Sequence, residues 1–155
     1  MDPRFRSLVE ALHPSFERLL AMRPATTETL PRGMPKSGIY LFSEGHKYLY
    51  VGRSNRLRSR IRRHGVAASK HNVASFAFLM ARKETGRLVA SYRAEASRAQ
   101  LVKDPAFSRA FTDAKARIRG MSVRFVEEQD QLRQALLEVY VHVTLDTSFN
   151  DFATH

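Results

Sequence analysis

Residues 38–65, GIYLFSEGHKYLYVGRSNRLRSRIRRHG, constrain the fold more than any other part of the chain. Two short runs rich in aromatic and β-branched residues, Gly38 to Phe42 and Tyr48 to Gly52, flank a turn containing Glu44 and Gly45, the pattern of an antiparallel hairpin. Strand side chains alternate faces, so Tyr40 and Phe42 share one side and Ile39 and Leu41 the other, with Tyr48 and Tyr50 likewise opposed to Leu49 and Val51. A hairpin centred on Gly45 pairs Phe42 with Tyr48 and sets Tyr40 directly opposite Tyr50. Such aromatic pairs stabilise sheets on their own account.

The segment that follows asks for more than packing. A helix is predicted from Asn55 to His64, with Ser54 or Asn55 as N-cap and Gly65 as C-terminal stop. Leu57 and Ile61 make its inward stripe, and Arg60 and His64 a second stripe beside it. Residues 53–65 carry six arginines and no acid. Like charges three and four residues apart repel, so an anionic partner is implied, and the helix N-terminus at Ser54 and Asn55 suits a phosphate.

The wider chain agrees with a polyanion partner. Its net charge of +11 is concentrated in the middle, with +6 over residues 53–65, +7 over 66–120 and −4 over 121–155. Such a field favours nucleic acid, although a charge excess is also what a solvated face looks like. There is no cysteine, and the six histidines are scattered, which argues against a zinc site. The start, MDPRFRS, lacks a signal-peptide pattern and no apolar run is long enough to span a bilayer. A cytoplasmic protein with no membrane partner is expected.

At 155 residues the chain reads as one α+β domain. Residues 1–36 form an N-terminal helical extension, with apolar spacing at Phe5, Leu8, Val9 and Leu12, then Phe16, Leu19 and Leu20, broken or restarted at Pro14, and a Pro- and Thr-rich linker after it. Residues 37–65 are the hairpin and arginine helix. Residues 66–120 hold two or three helices, one starting at Asp104-Pro105, and 121–155 a strand, Ser122 to Val126, and a last helix, Asp130 to Leu145.

Gly38-Ile39-Tyr40, then Tyr50-Val51-Gly52, then Arg60 and His64 on the next helix, resemble the GIY-YIG nuclease superfamily, with valine at the motif's second isoleucine. Glu138 in LLEVYV resembles that family's metal-binding glutamate, and Asn150 in SFNDF its late asparagine. The aligned parts, Gly38–Gly65 and Ser122–Asn150, cover a little over a third of the chain. The resemblance implies a small three-stranded antiparallel sheet flanked by helices, here with an added helical insertion and N-terminal helices. It implies a Mg²⁺- or Mn²⁺-dependent endonuclease, a phosphodiester hydrolase acting on DNA, DNA being favoured over RNA by family habit.

Each residue type suits that chemistry. Glu138 would bind the cation, and a carboxylate in an apolar helical run is costly unless so paired. Arg60 would fork onto a phosphate oxygen, and His64 would hold the same phosphate or relay a proton. Tyr40 would be general base toward water, which asks for a phenol well below its usual ~10, lowered by Arg60, Arg53 and the metal. Tyr50 would orient Tyr40 or the water; the tyrosines' roles are interchangeable at this level. Arg53, Asn55, Arg56, Arg63 and Asn150 are candidate nucleic-acid contacts; Asn150 would also fix the end of the last helix against the site, or serve only as a turn residue. Gly38 and Gly52 would leave backbone room for substrate or serve merely as strand-end glycines. A non-catalytic DNA- or RNA-binding module on the same fold is the alternative, and both a monomer and a homodimer are compatible with the sequence.

The insertion's aromatics, Phe76, Phe78, Tyr92, Phe107 and Phe111, suit either core packing or base stacking, and its basic residues suit a nucleic-acid backbone. Neutralising Arg82, Lys83, Arg87 and Arg93 together is expected to weaken nucleic-acid binding and flatten its salt dependence; an unchanged salt slope in a filter-binding titration would refute this.

Overall fold

The computed structural model describes residues 1–87 and 97–153, so Tyr92 and Arg93 lie outside the described residues. The chain runs α1 (Pro3–Glu10), α2 (His13–Ala21), β1 (Gly38–Glu44), β2 (Lys47–Ser54), α3 (Leu57–Gly65), α4 (Ser75–Glu84), α5 (Arg98–Leu101), α6 (Pro105–Arg119), β3 (Ser122–Glu127) and α7 (Gln131–Leu145). The strands form one antiparallel sheet in the order β2-β1-β3. The fold is α+β, a three-stranded sheet flanked by helices. None of the described helices is long and apolar enough to cross a membrane.

β1 is central because both of its faces are apolar, and Gly38 to Ser43 are all buried. Tyr40 and Phe42, with Val123 and Phe125 of β3, pack against Leu57, Ile61, Phe76, Phe78, Phe107 and Phe111 from α3, α4 and α6. Ile39, Leu41, Val51 and Val126 face Leu12, Phe16, Leu19, Leu137 and Val141 on the α1–α2 junction, α2 and α7. The insertion therefore supplies much of the core on the α3–α4 side of the sheet. Phe76, Phe78, Phe107 and Phe111 are buried in it, leaving none of these four rings for base stacking. Asp104 starts α6 as expected, its carboxylate accepting from the Ala106 and Phe107 amides. Asp130 caps α7 likewise.

Three local expectations are corrected. β2 carries a bulge, so Phe42 pairs with Tyr50, Ser43 with Tyr48, and Tyr40 with Gly52. The extra residue, Leu49, breaks the alternation: Leu49 and Tyr50 both face the α3–α4 side, whereas Tyr48 packs with the α2–α7 cluster. α3 starts at Leu57, because Asn55 turns its amide to α7 instead of capping, and Gly65 is the last helical residue rather than a stop beyond it. A Cβ on Gly65 would press on Thr27 at 3.2 Å and Arg119 at 3.3 Å, which accounts for the glycine by packing. α1 buries no residue, and Phe5 (49% exposed) and Val9 (37%) find no layer opposite them; only Leu12 of that stripe is buried.

Both sheet edges are partly covered, which lessens the pairing hazard of bare strands. Ala25 exchanges two backbone hydrogen bonds with Val123 on β3, and the Phe149 amide donates to the Leu49 carbonyl at 2.9 Å on β2. Gly38 is required at the start of β1: a Cβ there would lie 1.9 Å from the Val126 carbonyl oxygen. Gly38→Ala is expected to destabilise the fold by about 1–3 kcal/mol through this overpacking, measured by urea unfolding; an unchanged midpoint would show that β1 and β3 approach less closely.

Candidate functional site

A glycine sets the site. Tyr40 lies across β2 over its partner Gly52, whose missing Cβ would sit 2.4 Å from the phenol's Cζ and hydroxyl oxygen. The room at Gly38 and Gly52 is thus filled by β3 and by Tyr40 itself, not kept open for substrate. Passing over Gly52, the Tyr40 hydroxyl reaches His64 Nε2 at 2.8 Å. With the ring proton on Nδ1, Nε2 accepts from the phenol; the opposite tautomer donates to it.

His64 projects from α3 one turn after Arg60, and α3 is held down by Leu57 and Ile61. The imidazole is fully buried among Tyr40, Phe42, Tyr50 and Phe76, and its Nδ1 has no hydrogen-bond partner. Burial, then the Arg60 charge, pushes its pKa down to about 3. Arg60 itself is gripped by the start of the insertion. Its Nη1 donates to the Val73 carbonyl at 2.9 Å and its Nη2 to Ser75 Oγ at 3.0 Å.

Ser75 Oγ also lies 3.4 Å from the Tyr50 hydroxyl, and the Tyr50 ring stacks on Phe76, 4.7 Å away and nearly parallel. Ser75 opens α4 and carries no signal in the sequence, and Phe76 reads there only as a core or base-stacking ring, because SFAFLM is the pattern of an apolar helix start. Nothing local marks their reach to Arg60 and Tyr50.

Glu138 approaches from α7, which packs on β2. Its side chain is 19% exposed, and Oε2 accepts from Arg53 Nε at 3.1 Å. Burial raises the carboxyl above its usual range, with Arg53 opposing. Its negative charge raises both tyrosines, so it shares their neighbourhood. Tyr40, Tyr50, Arg60, His64 and Glu138 thus come together from four elements.

The remaining candidates divide. Asn150 has its whole amide engaged with β2, accepting from the Val51 amide and donating to the Val51 carbonyl, both at 2.8 Å. Asn55 is engaged with Gln131 and Gln134 of α7. These two amides lock the last helix and the loop after it onto the site rather than reaching outward. Two of the amides at the helix start are also occupied, Arg56 N by Ser54 Oγ and Leu57 N by the Lys36 carbonyl, each at 2.9 Å. Arg56 and Arg63 are exposed. Of the insertion's basic residues, Arg87 pairs with Asp104, Lys83 lies over the Phe149 ring, and Arg82 is buried.

The tyrosine chemistry also differs from expectation. Burial, then Tyr50, drives the Tyr40 phenol well above its ordinary value, and Arg60 only partly offsets this. Tyr50 is raised by burial as well. Arg53, expected to help lower Tyr40, is engaged by Glu138. With the imidazole pushed down to about 3 and the phenol raised above its ordinary value, the proton stays on Tyr40 at rest.

Among the described residues no group of three or more histidines and carboxylates is placed to hold a metal. Glu138 still fits a single-carboxylate site: among the described residues Oε1 has no hydrogen bond, and a half-buried carboxylate gains from a cation. Comparison with known proteins finds no matching family model, no matching curated protein and no matching solved structure.

Between pH 6.5 and about 3 the unfolded chain protonates its histidine while the folded chain keeps His64 neutral, so stability falls as pH drops through that window. The loss is expected to approach about 1.4 kcal/mol per pH unit at its steepest. Urea unfolding across this range should show the slope in the native chain and a shallower one in His64→Gln; the opposing contribution of Glu138 cancels in the difference. Parallel curves would mean that His64 is not held neutral.

Proposed function

We propose that the chain is a GIY-YIG-type endonuclease, a metal-dependent hydrolase of DNA phosphodiesters. The observation that carries this reading is the convergence of two phenols, a guanidinium, an imidazole and a carboxylate, drawn from residues 40 to 138, at one edge of the sheet. Ordinary core packing does not call for a buried imidazole, two phenols and a guanidinium together.

Glu138 would hold Mg²⁺ or Mn²⁺ through its uncommitted Oε1, and the bound ion would supply charge neutralisation at the phosphate oxygens. Arg60, already oriented by Val73 and Ser75, has further N–H groups to aim at a nonbridging oxygen. Tyr40, donating to the neutral His64 Nε2, would present an oxygen lone pair to the attacking water and orient it, so that neither a free phenolate nor a charged buried imidazole is required. Tyr50, fixed by Phe76, keeps the water on line.

The protein is expected to nick plasmid or oligonucleotide DNA with Mg²⁺ and to stop with EDTA. Glu138→Ala is expected to abolish cleavage, and Arg60→Ala or Tyr40→Phe to slow it by about 10²–10³-fold, with folding checked by circular dichroism. Tight binding with no cleavage of DNA or RNA in any metal would instead favour the non-catalytic module.

A further inference from the structure

A groove of about 570 Å³ runs along the outer side of α3, walled on its far side by residues 34–36 of the linker. Its shape is preformed. Arg58 donates to the carbonyls of Leu30 and Pro31, and the Leu57 amide donates to the Lys36 carbonyl at 2.9 Å, so the linker is tied to the helix. Met34, Pro35 and Val66 make an aliphatic floor over buried Leu57.

The rim is cationic. Lys36, Arg56, Arg62 and Arg63 are exposed, none has an ion pair among the described residues, and no acidic residue lines the groove. Arg56, Ser59 and Arg63 also line a second concavity that extends to Asn55 and Arg60. A continuous basic path therefore leads from the guanidinium of the candidate site into the groove. No ion pair among the described residues offsets the mutual repulsion of these cations, which is the charge pattern of a polyanion track.

We infer that the groove receives an unpaired nucleotide of a DNA strand passing Arg60, an inference that rests on the hydrolase reading for the direction of the strand. The volume lies in the range of small-ligand sites, roughly 300–1,000 Å³, so it admits a nucleotide, whereas a paired base reaches such a pocket only by leaving its stack. The aliphatic floor takes the face of a base, and the rim takes the flanking phosphates. The assignment to DNA rather than RNA comes from the hydrolase reading and not from the lining. The substrate class is DNA with unpaired nucleotides next to the cut: an overhang, flap or gap.

The test is fluorescence anisotropy in EDTA, where cleavage is halted, with a labelled single-stranded DNA, the blunt duplex of the same sequence and the equivalent RNA strand. The single DNA strand is expected to bind about tenfold tighter than the duplex, Met34→Ser to remove most of that preference while leaving duplex binding unchanged, and Arg62→Ala to weaken the strand more than the duplex. Equal affinity for strand and duplex, or variants that weaken both alike, would reduce the groove to part of a general field and overturn the inference. Tighter binding of the RNA strand would overturn the assignment to DNA. Absent cleavage with the strand preference intact sinks only the hydrolase reading, and cleavage without the preference sinks only the groove.

Discussion

The contact on which the site depends is the passage of Tyr40 across β2 over Gly52. Any Cβ at that position would meet the phenol at 2.4 Å, so only the glycine lets the ring reach His64. The hydrogen bond between them ties the central strand to the arginine helix in the driest part of the molecule. Burial then sets the protonation states: phenol protonated, imidazole neutral. Both are forms in which a proton can be received and passed on without a net charge at rest.

The insertion is built into this arrangement. α4 supplies Phe76 beneath Tyr50 and Ser75 beside Arg60, and α6 packs against both α3 and α4. Loss of the segment would strip the α3–α4 side of the sheet of much of its cover and release the Arg60 guanidinium. On the opposite side α7 brings Glu138, and the amides of Asn55 and Asn150 clamp it and the following loop to β2. Charge is divided in the same way: engaged guanidiniums at Arg53, Arg58 and Arg60 shape the site, and the exposed ones at Arg56, Arg62 and Arg63 face outward along the groove.

Much of the fold was legible in the chain. The apolar run at Gly38–Phe42, the turn at Gly45, the caps Asp104 and Asp130 and the stripe Leu57/Ile61 each have a local cause, and each stands where the pattern put it. The bulge at Leu49 was not legible, because a strand's alternation carries no mark of one extra residue until a partner strand fixes the register. Nor was the idle side of α1, since helical periodicity states which residues share a face and not whether anything packs there.

For the site, the sequence by itself determined which chemical groups are present and in what order, because residue type and local spacing are properties of the chain. Tertiary structure alone decided their states and neighbours. The depressed imidazole, the raised phenol, the grip of Ser75 on Arg60 and the pairing of Arg53 with Glu138 all arise from desolvation and from contacts between residues 15 to 85 positions apart. Such contacts depend on how the layers close, which no local pattern encodes.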